Sequence, residues 1–236
     1  MTEYSPSPLR QLPLPVGLRD DATLDNFLVL SAHRPLLAAL REQLRAAGEG
    51  LIYIHGPAGV GKSHLLQASC HAAAGPALYL PLAELKDYQP DAVLQDVANV
   101  GRLCLDDLDA VAGDPAWERA LFGLCEVART RDCQMFFAAD SSPRSLAVEL
   151  QDLRSRLAWG VVFKLPQASD AEKARMLAFR AARRGISLAP DVASYIVNRA
   201  PRGTGDLLAV LEQLDRASLA EQRALSQPFV KRVMQW

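Results

Sequence analysis

The chain is poor in the features that mark several protein classes. Four of its 236 residues are cysteine, and Cys70, Cys104, Cys125 and Cys133 form no C-x-x-C pair. Each lies in an apolar segment, which predicts buried free thiols rather than a disulfide framework or a zinc site. The formal net charge is −1. A chain so balanced has no overall basic field to draw it to nucleic acid, and direct sequence-specific DNA binding is not expected. No apolar run approaches the ~18 residues needed to span a bilayer, and Met1 to Arg10 carries no secretory pattern. These absences predict a soluble cytoplasmic protein with no membrane partner. Half of the residues are hydrophobic, enough at this length for one large core, or one large and one small.

What is present centres on Leu51–Leu66. Leu51 to Ile54 is a short apolar run of strand formers. Gly56-Pro57-Ala58-Gly59-Val60-Gly61-Lys62-Ser63 spells G-x-x-x-x-G-K-S, and His64, Leu65 and Leu66 open a helical pattern. Strand, glycine loop and helix, in that order, are what a phosphate-binding loop requires. The glycines let backbone N–H groups curl toward phosphate oxygens, and the helix N-terminus adds positive potential. Lys62 is expected on the β/γ-phosphates and Ser63 on Mg²⁺. Downstream, Arg102-Leu-Cys-Leu-Asp106-Asp107 is an apolar strand ending in two acids, the Walker B arrangement. Asp106 is the expected Mg²⁺ partner, and Asp107 the group that orients or activates water. Gln134 to Ala138 reads as another strand, and Asp140 just after it can touch the γ-phosphate or its water.

The remainder arranges itself around this core. Residues 1–16 are proline-rich and read as a flexible leader, with Gln11-Leu12-Pro13-Leu14-Pro15-Val16 as an extended peptide able to dock its leucines in a partner's groove. Residues 17–166 alternate strand and helix: a helix with Leu36, Leu37, Leu40 and Leu44 ending at Gly48; strands near residues 77–80 and 161–165; a helix over 115–130 with Trp117, Leu121, Leu124 and Val127 on one face; and a short helix with Arg154 and Arg156. Residues 167–236 contain no strand and read as four helices, the first opened by the capping box Ser169-Asp-Ala-Glu172. The expectation is an α/β nucleotide-binding domain of five strands followed by a small helical lid.

From about residue 22 onward these residues resemble the AAA+ family, and within it the DnaA branch. Leu24-Asp-Asn-Phe27, Gly-Lys-Ser-His-Leu-Leu66 and Leu153-Arg-Ser-Arg156-Leu-Ala-Trp-Gly160 are similar to DnaA boxes, the last being the one that carries an arginine finger. Gln11–Val16 looks like the peptide with which bacterial proteins bind the replicative sliding clamp. The chain stops soon after the lid, so the resemblance implies no appended DNA-binding domain.

The resemblance implies a parallel sheet and a regulator of replication initiation. Such a regulator would bind the DNA-loaded clamp of DNA polymerase III through Gln11–Val16 and stimulate hydrolysis of DnaA-bound ATP in trans through Arg156, with Arg154 in reserve. It also implies self-association and ADP, or ATP, with Mg²⁺ as cofactors. Leucine spacing puts Gly205 where the family has a phosphate-sensing arginine, with Arg202 one turn earlier as the candidate substitute. That departure implies weak or no intrinsic ATPase, and a nucleotide that anchors rather than fuels. The alternatives are an autonomous AAA+ ATPase and a helicase-loader-like adaptor.

Overall fold

The computed structural model describes residues 18–43, 50–201 and 203–236. Gln11–Val16, Leu44, Gly48 and Arg202 lie outside the described residues. In chain order the elements are α1 (Arg34–Gln43), β1 (Leu51–His55), α2 (Lys62–His71), β2 (Ala77–Pro81), α3 (Leu82–Leu85), α4 (Pro90–Leu94), β3 (Arg102–Asp106), α5 (Pro115–Thr130), β4 (Gln134–Ala139), α6 (Gln151–Trp159) and β5 (Val161–Lys164). Four helices follow: α7 (Asp170–Arg183), α8 (Pro190–Arg199), α9 (Thr204–Glu221) and α10 (Gln227–Met234).

The five strands form one sheet in the order β2-β3-β4-β1-β5, and every pairing is parallel. Parallel strands joined through helices are covered on both faces, so the central ones are apolar throughout. All five residues of β3 are buried. Alternation along each strand sends neighbours to opposite layers. Tyr53 and Phe137 pack with Trp117, Leu121 and Leu153 on one face. Ile52, Ile54 and Phe136 pack with Leu36, Leu40, Leu65 and Leu66 on the other. At the sheet edge, β5 alternates between half-buried and exposed positions.

In α5 the helical period carries Ala128 onto the stripe of Trp117, Leu121 and Leu124. Val127, expected on that face, is turned outward and 42% exposed. Asp114 caps this helix by accepting the N–H groups of Ala116 and Trp117, with Pro115 in its first turn. The four cysteines are free and buried, as their apolar surroundings predict.

The four C-terminal helices enclose a separate core that includes Leu177, Ile196, Leu211 and Val230. The Ser169/Glu172 capping box opens α7 as expected, Ser169 Oγ accepting the Glu172 N–H and the Glu172 carboxylate accepting the Ser169 N–H. Among the described residues, no helix is long and apolar enough to cross a membrane. The fold is thus an α/β sheet domain carrying a C-terminal helical lid.

Parallel strands share one direction, so their C-terminal ends lie along one edge. His55 of β1 is in register with Ala139 of β4. This brings the glycine loop after β1, the acids at the end of β3, and Asp140 after β4 to the same rim.

Candidate nucleotide site

The loop from Gly56 to Gly61 joins β1 to α2. Gly59 and Gly61 take φ of 78° and 100°, a left-handed conformation that side chains disfavour. A Cβ at Gly61 would also come within 2.8 Å of the Phe27 ring. The loop needs glycine here for conformation and for room. Lys62, at the start of α2, is 6% exposed. Its ammonium donates to Gly56 O at 2.6 Å, Pro57 O at 3.2 Å and Asp140 Oδ1 at 2.6 Å.

The two acids after β3 face different ways. Asp106 is fully buried; its Oδ2 accepts the Tyr79 hydroxyl at 2.7 Å and its Oδ1 accepts the Asp107 N–H at 3.0 Å. Asp107 turns through φ 53° and lines the cavity beside Lys62, Ser63 and Asp140, whereas Asp106 stands behind it. Burial, reinforced by the negative charges of Asp106 and Asp109, pushes the Asp107 carboxyl up to about 6. Negative charge here exceeds what Lys62 offsets, and the donors facing the cavity are hard oxygens, so the residues fit Mg²⁺. Among the described residues no group of three or more His, Cys, Asp or Glu could hold a metal. A Mg²⁺ ion would therefore be shared with phosphate oxygens, as is usual for that ion.

The cavity, about 380 Å³, runs from this rim to the lid. Ala58, Gly59, Val60, Gly61 and His64 wall its loop end, and Phe27, Leu28, Leu30 and His33 its N-terminal side. The lid closes it with Met176 and Arg180 of α7 and with Thr204, Gly205 and Leu208 of α9. Gly59 approaches the start of α9 closely enough that a Cβ would lie 3.3 Å from Thr204 N. A Cβ at Gly205 would meet nothing within 4 Å, so the position opposite the loop is open. Phe27 sits between two histidines, its ring centroid 5.1 Å from His33 and 5.6 Å from His64. Burial lowers the affinity of both imidazoles for a proton.

Arg180 is a site residue that sequence reasoning missed. Buried in the lid, it donates to Asn26 O at 3.0 Å and to Asp21 Oδ2 at 2.5 Å. The signal was available: Lys173 and Arg180 interrupt the apolar stripe of α7 that runs through Ala174, Leu177 and Ala181.

The two α6 arginines are not part of this cavity. Arg154 turns inward and donates to Val148 O. Arg156 is half-buried, with its Nε 2.7 Å from Glu126 Oε1. The ion pair lacks hydrogen-bond geometry, because that oxygen has no hydrogen-bond donor. The Arg156 guanidinium lies 4.5 Å from the Trp159 ring centroid, and Trp159 is 71% exposed.

Residues 170–234 match the family model described as "Hda, lid domain". The whole fold is similar to domain III of the Thermotoga maritima replication initiation protein DnaA, with a TM-score of 0.78 and 19% identity over 93% of this chain and 98% of that one. It is also similar to AMPPCP-bound DnaA from Aquifex aeolicus, with a TM-score of 0.71 and 21% identity over 84% of this chain and 66% of that one. The Thermotoga maritima RuvB Holliday junction branch migration motor gives a TM-score of 0.68 and 17% identity over 91% and 71%. The shared architecture is the AAA+ fold. The family match covers residues 170–234, and the likeness over the rest of the chain shows the fold.

Proposed function

We propose that this chain is a DnaA-related regulator of replication initiation that holds a nucleotide between its sheet domain (residues 17–166) and its lid (residues 167–236). The observation that carries the reading is the match of residues 170–234 to the Hda lid, in a lid that closes a cavity walled on its other side by a complete phosphate loop. Backbone N–H groups of Gly56–Gly61 and the α2 N-terminus cradle the phosphates, and Lys62 pairs with them. Ser63 and Asp107 would hold Mg²⁺, which would offset phosphate charge, while Asp106, expected as its ligand, stands behind Asp107 and would act by positioning it. ADP is the working ligand: no arginine stands at Gly205, and the nucleotide serves to keep sheet domain and lid in one arrangement.

Arg156 acts on another molecule's nucleotide. Its position on α6, outside the chain's own cavity and beside an exposed tryptophan, supports a role in trans. A guanidinium stays charged and bonds two oxygens at once, so it suits the charge that spreads over a transferring phosphoryl group. The partner is ATP-bound DnaA, and Gln11–Val16 delivers the chain to the DNA polymerase III sliding clamp. Self-association of the chain in the cytoplasm would cover this face and regulate it.

The deciding experiment follows hydrolysis of DnaA-bound ATP with and without the protein, in the presence of clamp loaded on DNA. Stimulation that needs both protein and clamp is expected. Turnover by the purified chain alone would instead favour an autonomous ATPase, and stimulation of neither activity would favour a loader-like adaptor.

A further inference from the structure

Asp107 faces the cavity because the chain turns left-handed there, a conformation that is uncommon without glycine and needs support from its surroundings. Asp106 gives that support, its Oδ1 accepting the Asp107 N–H at 3.0 Å. Asp106 is itself fully buried, and a buried carboxylate is held wherever its donors stand. Its other oxygen accepts the Tyr79 hydroxyl at 2.7 Å.

Sheet register makes this contact. Tyr79 of β2 is paired with Cys104 of β3. Cys104 and Asp106, two positions apart on one strand, project to the same face, so a phenol at position 79 spans the diagonal to the acid at the strand's end. Its ring packs in the layer of Leu65, Leu66 and Cys70 of α2. The hydroxyl is held from behind by the side chain of Gln67, a buried residue of the same helix. Gln67 Oε1 accepts the Arg19 N–H at 3.0 Å, so the Gln67 amide nitrogen is the group that donates to the phenol oxygen. Burial and the charge of Asp106 raise the Tyr79 phenol far above its ordinary range; the hydroxyl keeps its proton and gives it to Asp106.

We propose that Tyr79 is a positioning residue of the nucleotide site: by fixing the Asp106 carboxylate it holds the turn that presents Asp107 to a divalent cation shared with the nucleotide. The inference rests on the nucleotide reading above and adds to it a residue that lies outside the cavity. Without the hydroxyl, one oxygen of a buried carboxylate has no donor. Asp106 then reorients toward the donors that remain, and the Asp107 N–H loses its fixed acceptor. Phosphate contacts of the Gly56–Gly61 loop do not pass through Asp106 and persist.

Tyr79→Phe removes one oxygen and keeps the packed ring. Titration calorimetry with ADP, run in Mg²⁺ and in EDTA, compares it with the unsubstituted chain. The factor by which Mg²⁺ tightens ADP binding should shrink about tenfold in the variant, with affinity in EDTA unchanged. Gln67→Leu leaves the hydroxyl and removes only its donor, so the factor should shrink less. Amide hydrogen exchange at Asp107, followed without nucleotide, should quicken about tenfold in Tyr79→Phe while the β3 amides hold their rates. Circular dichroism confirms that each variant is folded. An unchanged Mg²⁺ factor, or an unchanged Asp107 exchange rate, overturns the proposal. Equal loss of affinity in Mg²⁺ and EDTA also overturns it, and returns Tyr79 to packing alone. An unsubstituted chain that binds ADP without any Mg²⁺ effect overturns the proposal and leaves the nucleotide reading standing, whereas one that binds no ADP overturns both.

Discussion

Arg180 of α7 reaches Asp21 at 2.5 Å, joining the lid to the segment that precedes α1 in the sheet domain, 159 positions away in sequence. The Asp21 carboxyl would be raised by burial, but the Arg19 and Arg180 guanidiniums together hold it below the usual carboxylate range. The Arg180 side chain is 7% exposed and that of Asp21 38%, so removing the acid strands a buried cation. Asp21→Asn should destabilise the protein by about 1–3 kcal/mol, discounted for the exposed side of the pair. Urea denaturation checks the cost. Arg180→Ala should further reduce the stabilisation that ADP confers, because the same residue lines the cavity.

The phosphate loop offers a direct test of nucleotide binding. ADP at one hundred times its Kd should stabilise the chain by about 2.7 kcal/mol through binding linkage. Lys62→Ala should abolish most of that gain while leaving the unliganded protein folded. A thermal shift scan over ADP concentration reads both. No shift in the unsubstituted chain would remove the nucleotide reading.

Glu118 anchors the start of α6, the helix that carries Arg156. Buried in α5, its carboxylate accepts the N–H groups of Gly113, Glu149 and Leu150, and Leu150 is the residue from which α6 starts. Glu118→Ala leaves those donors without their partner and should cost on the order of 3 kcal/mol. Glu118→Gln keeps a carbonyl acceptor and should cost less. Where both remain folded, stimulation of DnaA's ATPase should fall in the same order while ADP binding persists.

Two further variants separate delivery from chemistry in the proposed activity. Arg156→Ala should retain ADP and clamp binding but lose most of the stimulation, since a finger supplied to a partner contributes roughly 10³- to 10⁵-fold in rate. Replacing Gln11, Leu12 and Leu14 by alanine should abolish clamp pull-down and leave ADP binding intact. Stimulation undiminished by Arg156→Ala would return that residue to a structural role with Glu126 and Trp159.

These residues also mark how far the sequence could be read. The phosphate loop is legible because its parts are consecutive, and the strands because burial on both faces makes them short apolar runs. The capping box at Ser169 and the Pro115 helix start are legible for the same local reason. The sequence reading gives Mg²⁺ to Asp106 and water to Asp107, but which of the two faces the cavity is decided by a left-handed turn at Asp107 that no local pattern announces. Tyr79 behind Asp106, Glu118 under α6 and Arg180 against Asp21 are legible only once distant segments meet. Each is a polar residue inside an apolar pattern, so what it signals is a buried partner, but not which one.

The same meeting of segments gives the protein a pH dependence whose sign can be worked out at His33. Burial lowers the affinity of this imidazole for a proton, against the opposing pull of the Leu28 backbone and Glu172. Its Nδ1 stands 3.3 Å from the Leu30 N–H and can accept that hydrogen only while unprotonated. In the unfolded chain the group titrates near its ordinary value of about 6.5. Below that pH the unfolded state takes up a proton that the folded state refuses, so stability is present above about 6.5 and is lost as pH falls toward the depressed folded value. His55 and His64 are shifted in the same direction and add to the slope. Together the three histidines oppose Asp107, whose carboxyl, raised to about 6, takes up its proton in the folded state over the same range. As the more numerous groups they should make the urea midpoint fall between pH 7.5 and 5.5. His33→Asn retains an acceptor but cannot titrate, so its midpoint should fall less over the same range. An equal fall in the variant would assign the pH dependence to the other histidines.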